Sequence, residues 1–87
     1  MSHNSINLTA TEALVLQQIN EDGEDDIRSL AFALGMPRNL VTAIAVRLEE
    51  KGLVAFHHSF SGLWMDVSQR GKRLIRAMWP EANATYA

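Results

Sequence analysis

The sequence predicts a mainly α fold carrying one small β-hairpin: three helices, the hairpin, then a last helix. Three observations predict it. Apolar residues recur at helical spacing in three segments before Gly52, two short strand-like stretches follow, and Gly35 and Gly52 stand where the second and third helices should stop.

The first helix is announced by Thr9 with Glu12 three residues later, a capping box, and by Leu8, placed to staple onto the first turn. Ala13, Leu14, Leu16, Gln17 and Ile19 then give an apolar face, with an end expected near Asn20. Residues 21–26 are too polar and charged to be expected in a core, and Asp25 or Asp26 should cap the second helix. That helix runs from Ile27 to about Leu34, with Ile27, Leu30, Ala31 and Leu34 on one face. Met36 and Pro37 make a tight turn, and a third helix is expected from Pro37 to Lys51. Residues 53–58 and 63–68 read as strands joined by a Ser-Phe-Ser-Gly turn. Ser68 should cap a last helix from Gln69 to about Trp79, with Leu74, Ile75 and Met78 inward and Pro80 ending it. The expectation is one domain over 1–87 with an ordered core at about 8–80 and flexible tails at 1–7 and 81–87.

Composition narrows the function classes. The chain has 87 residues, 47% of them hydrophobic, and no cysteine, which excludes disulfides and thiolate metal sites. The first residues lack the features of a signal peptide and no run reaches membrane-spanning length, so a cytoplasmic, non-membrane protein is expected. The net charge of −2 is unevenly spread: residues 1–26 hold six acids and no Lys or Arg, whereas residues 27–87 hold all eight bases against four acids. This asymmetry suits one face meeting a polyanion, and equally suits acids that only solvate a loop and cap helices.

The most informative pattern is Ala31, Gly35, Val41 and Ile44. Two helices crossing closely need a small residue midway in the first, a glycine in the turn and two apolar residues reaching back from the second. All four demands are met at helix-turn-helix spacing, and the hairpin that follows makes the arrangement a winged helix-turn-helix.

On these residues the chain resembles the MarR-like winged-helix family over about residues 8–79: LTATEALVLQQI for its first DNA-binding-domain helix, IRSLAFALGMPRNLVTAIAVRLEEKGLV for the helix-turn-helix and wing entry, and VSQRGKRLI for the segment leaving the wing. The resemblance implies a DNA-binding transcriptional regulator, often a homodimer and often ligand-responsive. Two departures stand out. Family members carry long helices at both ends that build the dimer and the effector pocket, whereas the flanks here are short. The family's wing usually offers Arg or Lys to the minor groove, and residues 57–64 here contain neither. A small-molecule effector is therefore not expected within this chain.

Candidate DNA contacts follow from helical geometry. On the third helix Val41, Ile44, Ala45 and Leu48 share one side, and Asn39, Thr42, Ala43, Val46 and Glu50 the other, flanked by Arg38 and Arg47. Asn39 suits adenine, Arg38 guanine or phosphate, and Ala43 or Val46 a thymine methyl. Arg28, starting the second helix, suits a phosphate. Arg47 could instead pair with Glu49 or Glu50, and the exposed Ala43 and Val46 would equally suit a protein partner. Lys72, Arg73 and Arg76 form a further basic group. His57 and His58 should point to opposite faces, His58 being the candidate phosphate contact. Trp64 is expected in the core, and Trp79 with Met78 and Tyr86 could form part of a dimer contact.

No paired carboxylates in an apolar setting, phosphate loop or metal-ligand spacing is present, so no catalytic activity, cofactor or metal is expected. The expected partners are double-stranded DNA and a second copy of the chain. The alternative is a winged helix used for protein contacts without DNA.

Overall fold

The computed structural model describes residues 7–60 and 62–78. Its elements run α1 (Ala10–Asp22), α2 (Ile27–Leu34), α3 (Arg38–Glu50), β1 (Val54–Ser59), β2 (Gly62–Val67) and α4 (Gln69–Met78). The order is the expected one: four helices and an antiparallel hairpin, a winged helix-turn-helix.

Each boundary has a local cause. The capping box forms, with Thr9 accepting from the Glu12 amide and Glu12 accepting from the Thr9 amide, both at 3.0 Å. Leu8 is half-buried against the core. α1 runs one half-turn past Asn20 because Gly23, at φ 83°, is the first residue able to leave the helix, and its amide still reaches the Ile19 carbonyl. Asp26, not Asp25, caps α2 by accepting from the Ser29 amide at 2.7 Å. Pro37 stands just outside α3 as its N-cap, and Lys51 is the C-cap ahead of Gly52 at φ 76°. Both strands are offset by one residue from the expected spans, pairing Val54 with Val67 through Ser59 with Gly62.

The core joins Leu16 and Ile19 of α1, Leu30 and Ala31 of α2, and Val41, Ile44, Ala45 and Leu48 of α3 with Leu53, Met65 and Ile75. The α1 face is rotated from the expected one: Val15 is fully buried and Leu14 exposed. At about 100° per residue, Leu14 lies roughly 200° around from Glu12 and away from the Glu12–Leu16–Ile19 line that meets the other helices. Trp64 also departs from expectation. The period of two that turns Met65 and Val67 inward turns Trp64 outward, where it stacks on His57 at a centroid distance of 4.2 Å. In α4, Ile75 is buried and Leu74 partly so, but Met78, in the last turn, is exposed. The expectations for Trp79, Pro80, Tyr86 and the two tails lie outside the described residues.

The acidic segment holds the largest surprise. Asp25 is 7% exposed, and its backbone pairs in both directions with Met65, at 3.0 and 2.8 Å, adding one residue of a third strand to the outer edge of β2. Of residues 21–26 only Asp25 is buried, because its backbone, not its side chain, is what the hairpin edge requires.

Leu53 and Ser68 join the hairpin to α4. The Ser68 amide donates to the Leu53 carbonyl at 2.9 Å, and the Ser68 hydroxyl donates to the Gly52 carbonyl at 2.6 Å while accepting from the Gly71 amide at 3.0 Å. This caps α4 as expected and lays Gly71 directly on the Leu53 carbonyl, where a Cβ would collide with backbone and with Val67. Gly71→Ala is therefore expected to destabilise the fold by about 1–3 kcal/mol through overpacking. Thermal unfolding followed by circular dichroism should show a melting point lowered by roughly 4–8 °C per kcal/mol for a domain of this size; an unchanged melting point would contradict the packing described.

Candidate nucleic-acid interface

α2 and α3 meet at 111° across Gly35-Met36-Pro37. Gly35 takes the left-handed conformation at φ 66°, its amide directed at the Ala31 and Phe32 carbonyls, and the Met36 amide donates to the Ala31 carbonyl at 3.0 Å. Buried Ala31 lets the helices approach, as the motif requires. With its inner side packed by Val41, Ile44, Ala45 and Leu48, α3 leaves Arg38, Asn39, Thr42, Ala43 and Val46 exposed along the opposite side.

The crossing brings the start of α2 beside the start of α3. Arg28 and Arg38 line one open surface cleft of about 360 Å³ together with Asp26, Ile27 and Leu63 of the wing. Neither arginine is in an ion pair among the described residues. His58 pairs across the hairpin with Leu63, shares its face and is exposed, so it stands on the same side as the two arginines. The Thr42 hydroxyl donates to the Arg38 carbonyl at 2.8 Å, and the residue stays exposed.

Arg47 is placed differently. The expected partners Glu49 and Glu50 are on its own helix; the observed partner is Glu12 of α1, whose Oε2 accepts from Arg47 Nε at 2.9 Å. Lys51 Nζ donates to Glu12 Oε1 at 3.2 Å and to the Asn7 carbonyl at 3.0 Å. Glu12 is 4% exposed. The Thr9 amide, then Arg47 and Lys51, hold its carboxyl down at about 2. Arg47 thus ties α3 to α1, with half its side chain still open to solvent. The capping box marks Glu12 in the sequence, but nothing local shows that an acid there meets a base 35 residues later.

Two features went unmarked in the sequence. Leu63 completes the arginine cleft, and period-two pairing with His58 was the only signal for it. Phe32, 88% exposed on α2, borders an open apolar groove with Met36 and Pro37, next to Arg28 and Arg38. On the far face of the wing, His57 Nε2 lies 3.0 Å from Asp66 Oδ1 while the ring stacks on Trp64. Lys72, Arg73 and Arg76 are all exposed on α4. Among the described residues no group of three His, Asp or Glu is arranged to hold a metal ion, and no single helix is long and apolar enough to cross a membrane.

Asp25, at the outer edge of the wing, makes this region sensitive to pH. Burial and the neighbouring Asp22 carboxyl push Asp25 up to about 7 from its ordinary 3.8. A carboxyl that binds its proton more tightly when folded contributes stability at low pH, and that contribution is lost as pH rises from about 3.8 through about 7. Glu12 has the opposite sign, its contribution being lost as pH falls from about 4.5 towards 2. Asp25→Asn, neutral throughout, should melt several degrees above the parent at pH 8 and close to it at pH 5. Equal differences at the two pH values would remove Asp25 as the cause.

Comparison with known proteins agrees with this geometry. The model of the MarR family matches residues 6–59. Similar solved structures include a variant of MarR from E. coli complexed with operator DNA (TM-score 0.81, 19% identity, covering 85% of this chain and 55% of that one). BpsR of Bordetella bronchiseptica, whose DNA binding is regulated by 6-hydroxynicotinic acid, aligns with TM-score 0.79 and 22% identity over 90% of this chain and 58% of its own. A MarR family protein from Bacillus stearothermophilus gives TM-score 0.81 and 21% identity over 94% and 59%. The chain thus spans between 55% and 59% of the length of these three. No curated protein matches it significantly.

Proposed function

The chain belongs to the MarR family of winged-helix DNA-binding transcription regulators, and from that premise we propose that it binds double-stranded DNA, entering the major groove with α3. The observation that carries this reading is the convergence of Arg28 and Arg38 on one cleft at the starts of α2 and α3, beside the exposed N-terminal half of α3. A phosphate seated there meets two guanidinium groups together with amides at helix N-termini. Docked this way, with Arg38 on the phosphate, α3 presents Asn39 to base edges, and Thr42, Ala43 and Val46 as methyl-bearing contacts for thymine. His58 reaches a neighbouring phosphate. Arg47, engaged with Glu12, supports α3 from behind and is left out of the reading set.

One such module makes few contacts, so the proposal includes a two-fold pair of chains on two half-sites. It places no small-molecule effector within this chain, and it assigns the chain no catalytic role. A cytoplasmic location is part of the same proposal. The exposed Phe32 groove is the specific observation favouring a second reading, a winged helix that binds protein.

Salt separates the two. Binding of the purified chain to mixed genomic duplex, measured by fluorescence anisotropy with solution mass recorded in the same buffer, should weaken on a log–log plot with a slope of roughly 0.9 per phosphate neutralised. Arg38→Ala should cost on the order of 1–3 kcal/mol at a selected site. An absence of binding at low salt would favour the protein-contact reading, and an unaltered affinity for Arg38→Ala would remove that residue from the interface.

A further inference from the structure

We propose that the wing acts on DNA as an apolar wedge, with Phe60 entering the minor groove next to the major groove occupied by α3 and opening a base step there. The inference rests on the DNA-binding reading above and goes beyond it, because it names how sequence is selected where the protein offers no hydrogen-bonding code.

The tip of the hairpin is the first observation. Ser59 pairs with Gly62, so Phe60 sits in the two-residue connection at the end of the wing, and its side chain is fully exposed. Such connections favour Gly, Asn, Asp and Ser, which supply turn geometry and tolerate water. A large aromatic ring held out in solvent serves neither purpose. It touches none of the core, so packing does not account for it either.

The second observation is where the tip stands. Leu63 lies in the cleft with Arg28 and Arg38, where the proposed phosphate is held. Phe60 lies beyond the Ser59–Gly62 pair, two residues closer to the tip than His58, the cross-strand partner of Leu63. At about 3.3 Å per residue, the backbone at Phe60 stands roughly 7 Å past the cleft. A phosphate strand separates the two grooves, so a projection beyond the strand held by the arginines meets the minor groove. That groove is about 6 Å wide, which admits a side chain and excludes the hairpin itself.

The third observation is the chemistry and stiffness of the wing. Residues 54–67 contain no Lys or Arg. His57 is taken up by Asp66 and Trp64 on the far face. Beside Ser59, whose hydroxyl donates to the Gly62 carbonyl, the cleft side and tip carry His58, Phe60 and Leu63. A wedge must be backed by a rigid support. Here the backbone pairing of Asp25 with Met65 braces the outer edge of β2, and the His57–Trp64 stack braces the pair of strands. Apolar side chains that enter the minor groove partly unstack a step and bend the duplex. Pyrimidine–purine steps, TA above all, yield most easily, whereas A-tracts are stiff. A wing of this kind therefore favours TA steps through deformability alone.

The test uses the full chain at low salt and two end-labelled duplexes of equal length and A·T content, one rich in TA steps and the other built of A-tracts. Affinity and end-to-end energy transfer are measured for the parent, Phe60→Ala and Phe60→Leu, with melting points confirming that the exposed position leaves folding unchanged. The parent should prefer the TA-rich duplex by about tenfold and bend it, Phe60→Leu should keep most of both effects, and Phe60→Ala should bind both duplexes alike without bending. A Phe60→Ala protein that keeps the preference and the bend overturns the wedge while leaving salt-dependent DNA binding intact. A change in solution mass without any change in DNA preference overturns it too, by assigning Phe60 to a contact between copies. Failure of the parent to bind either duplex overturns the wedge together with the DNA-binding reading.

Discussion

Gly35 in the left-handed conformation lets the chain turn 111° between α2 and α3, and the arrangement of the candidate interface depends on that turn. A residue with a Cβ would be strained there, and a straighter connection would carry the start of α3 away from the start of α2. Because the turn is tight, Arg28 and Arg38, ten residues apart in sequence, come to line the same cleft. Ala31 supports the turn from within, being small enough for the two helices to cross closely and buried by that crossing.

Two further constraints position the surfaces around it. Glu12 is nearly fully buried, yet all of its demands are met, since it accepts from the Thr9 amide, Arg47 and Lys51. A buried carboxylate is costly without partners, so this cluster makes the orientation of α3 on α1 specific rather than simply hydrophobic. At the other end, the contact of Gly71 with the Leu53 carbonyl sets the angle at which α4 leaves the wing. The hairpin, which would be marginal alone, is held by both its base at Leu53 and its edge at Asp25.

Much of this was legible in the sequence. The capping box at Thr9 and Glu12, the Ala31–Gly35–Val41–Ile44 spacing and the Gly52 stop are local rules, and local rules operate before any tertiary contact exists. The inward face of α3 was equally legible, because four apolar residues at helical spacing leave a single self-consistent phase. The outer face followed from it, including Arg38, Asn39, Thr42, Ala43 and Val46. Where the pattern was ambiguous the reading failed. In α1, Leu14, Val15 and Leu16 are consecutive and apolar, and only the position of the neighbouring helices decides which one faces solvent. Trp64 was drawn to the core by its size, although the alternation of Met65 and Val67 turned it outward.

What the sequence determined by itself was therefore the class of fold, the order of its elements and the residues of α3 that face away from the core, because capping, turn geometry and periodicity act over a few residues. Only the tertiary structure decided that Arg47 belongs to Glu12, that Asp25 pairs with Met65 at the edge of the wing, and that Leu63 closes a cleft with Arg28 and Arg38. Those pairings join residues 25 to 40 positions apart, apart from the two arginines, and no local preference specifies them. They form because burying the faces of three helices and a hairpin in one core leaves a particular set of polar groups in contact at its edges.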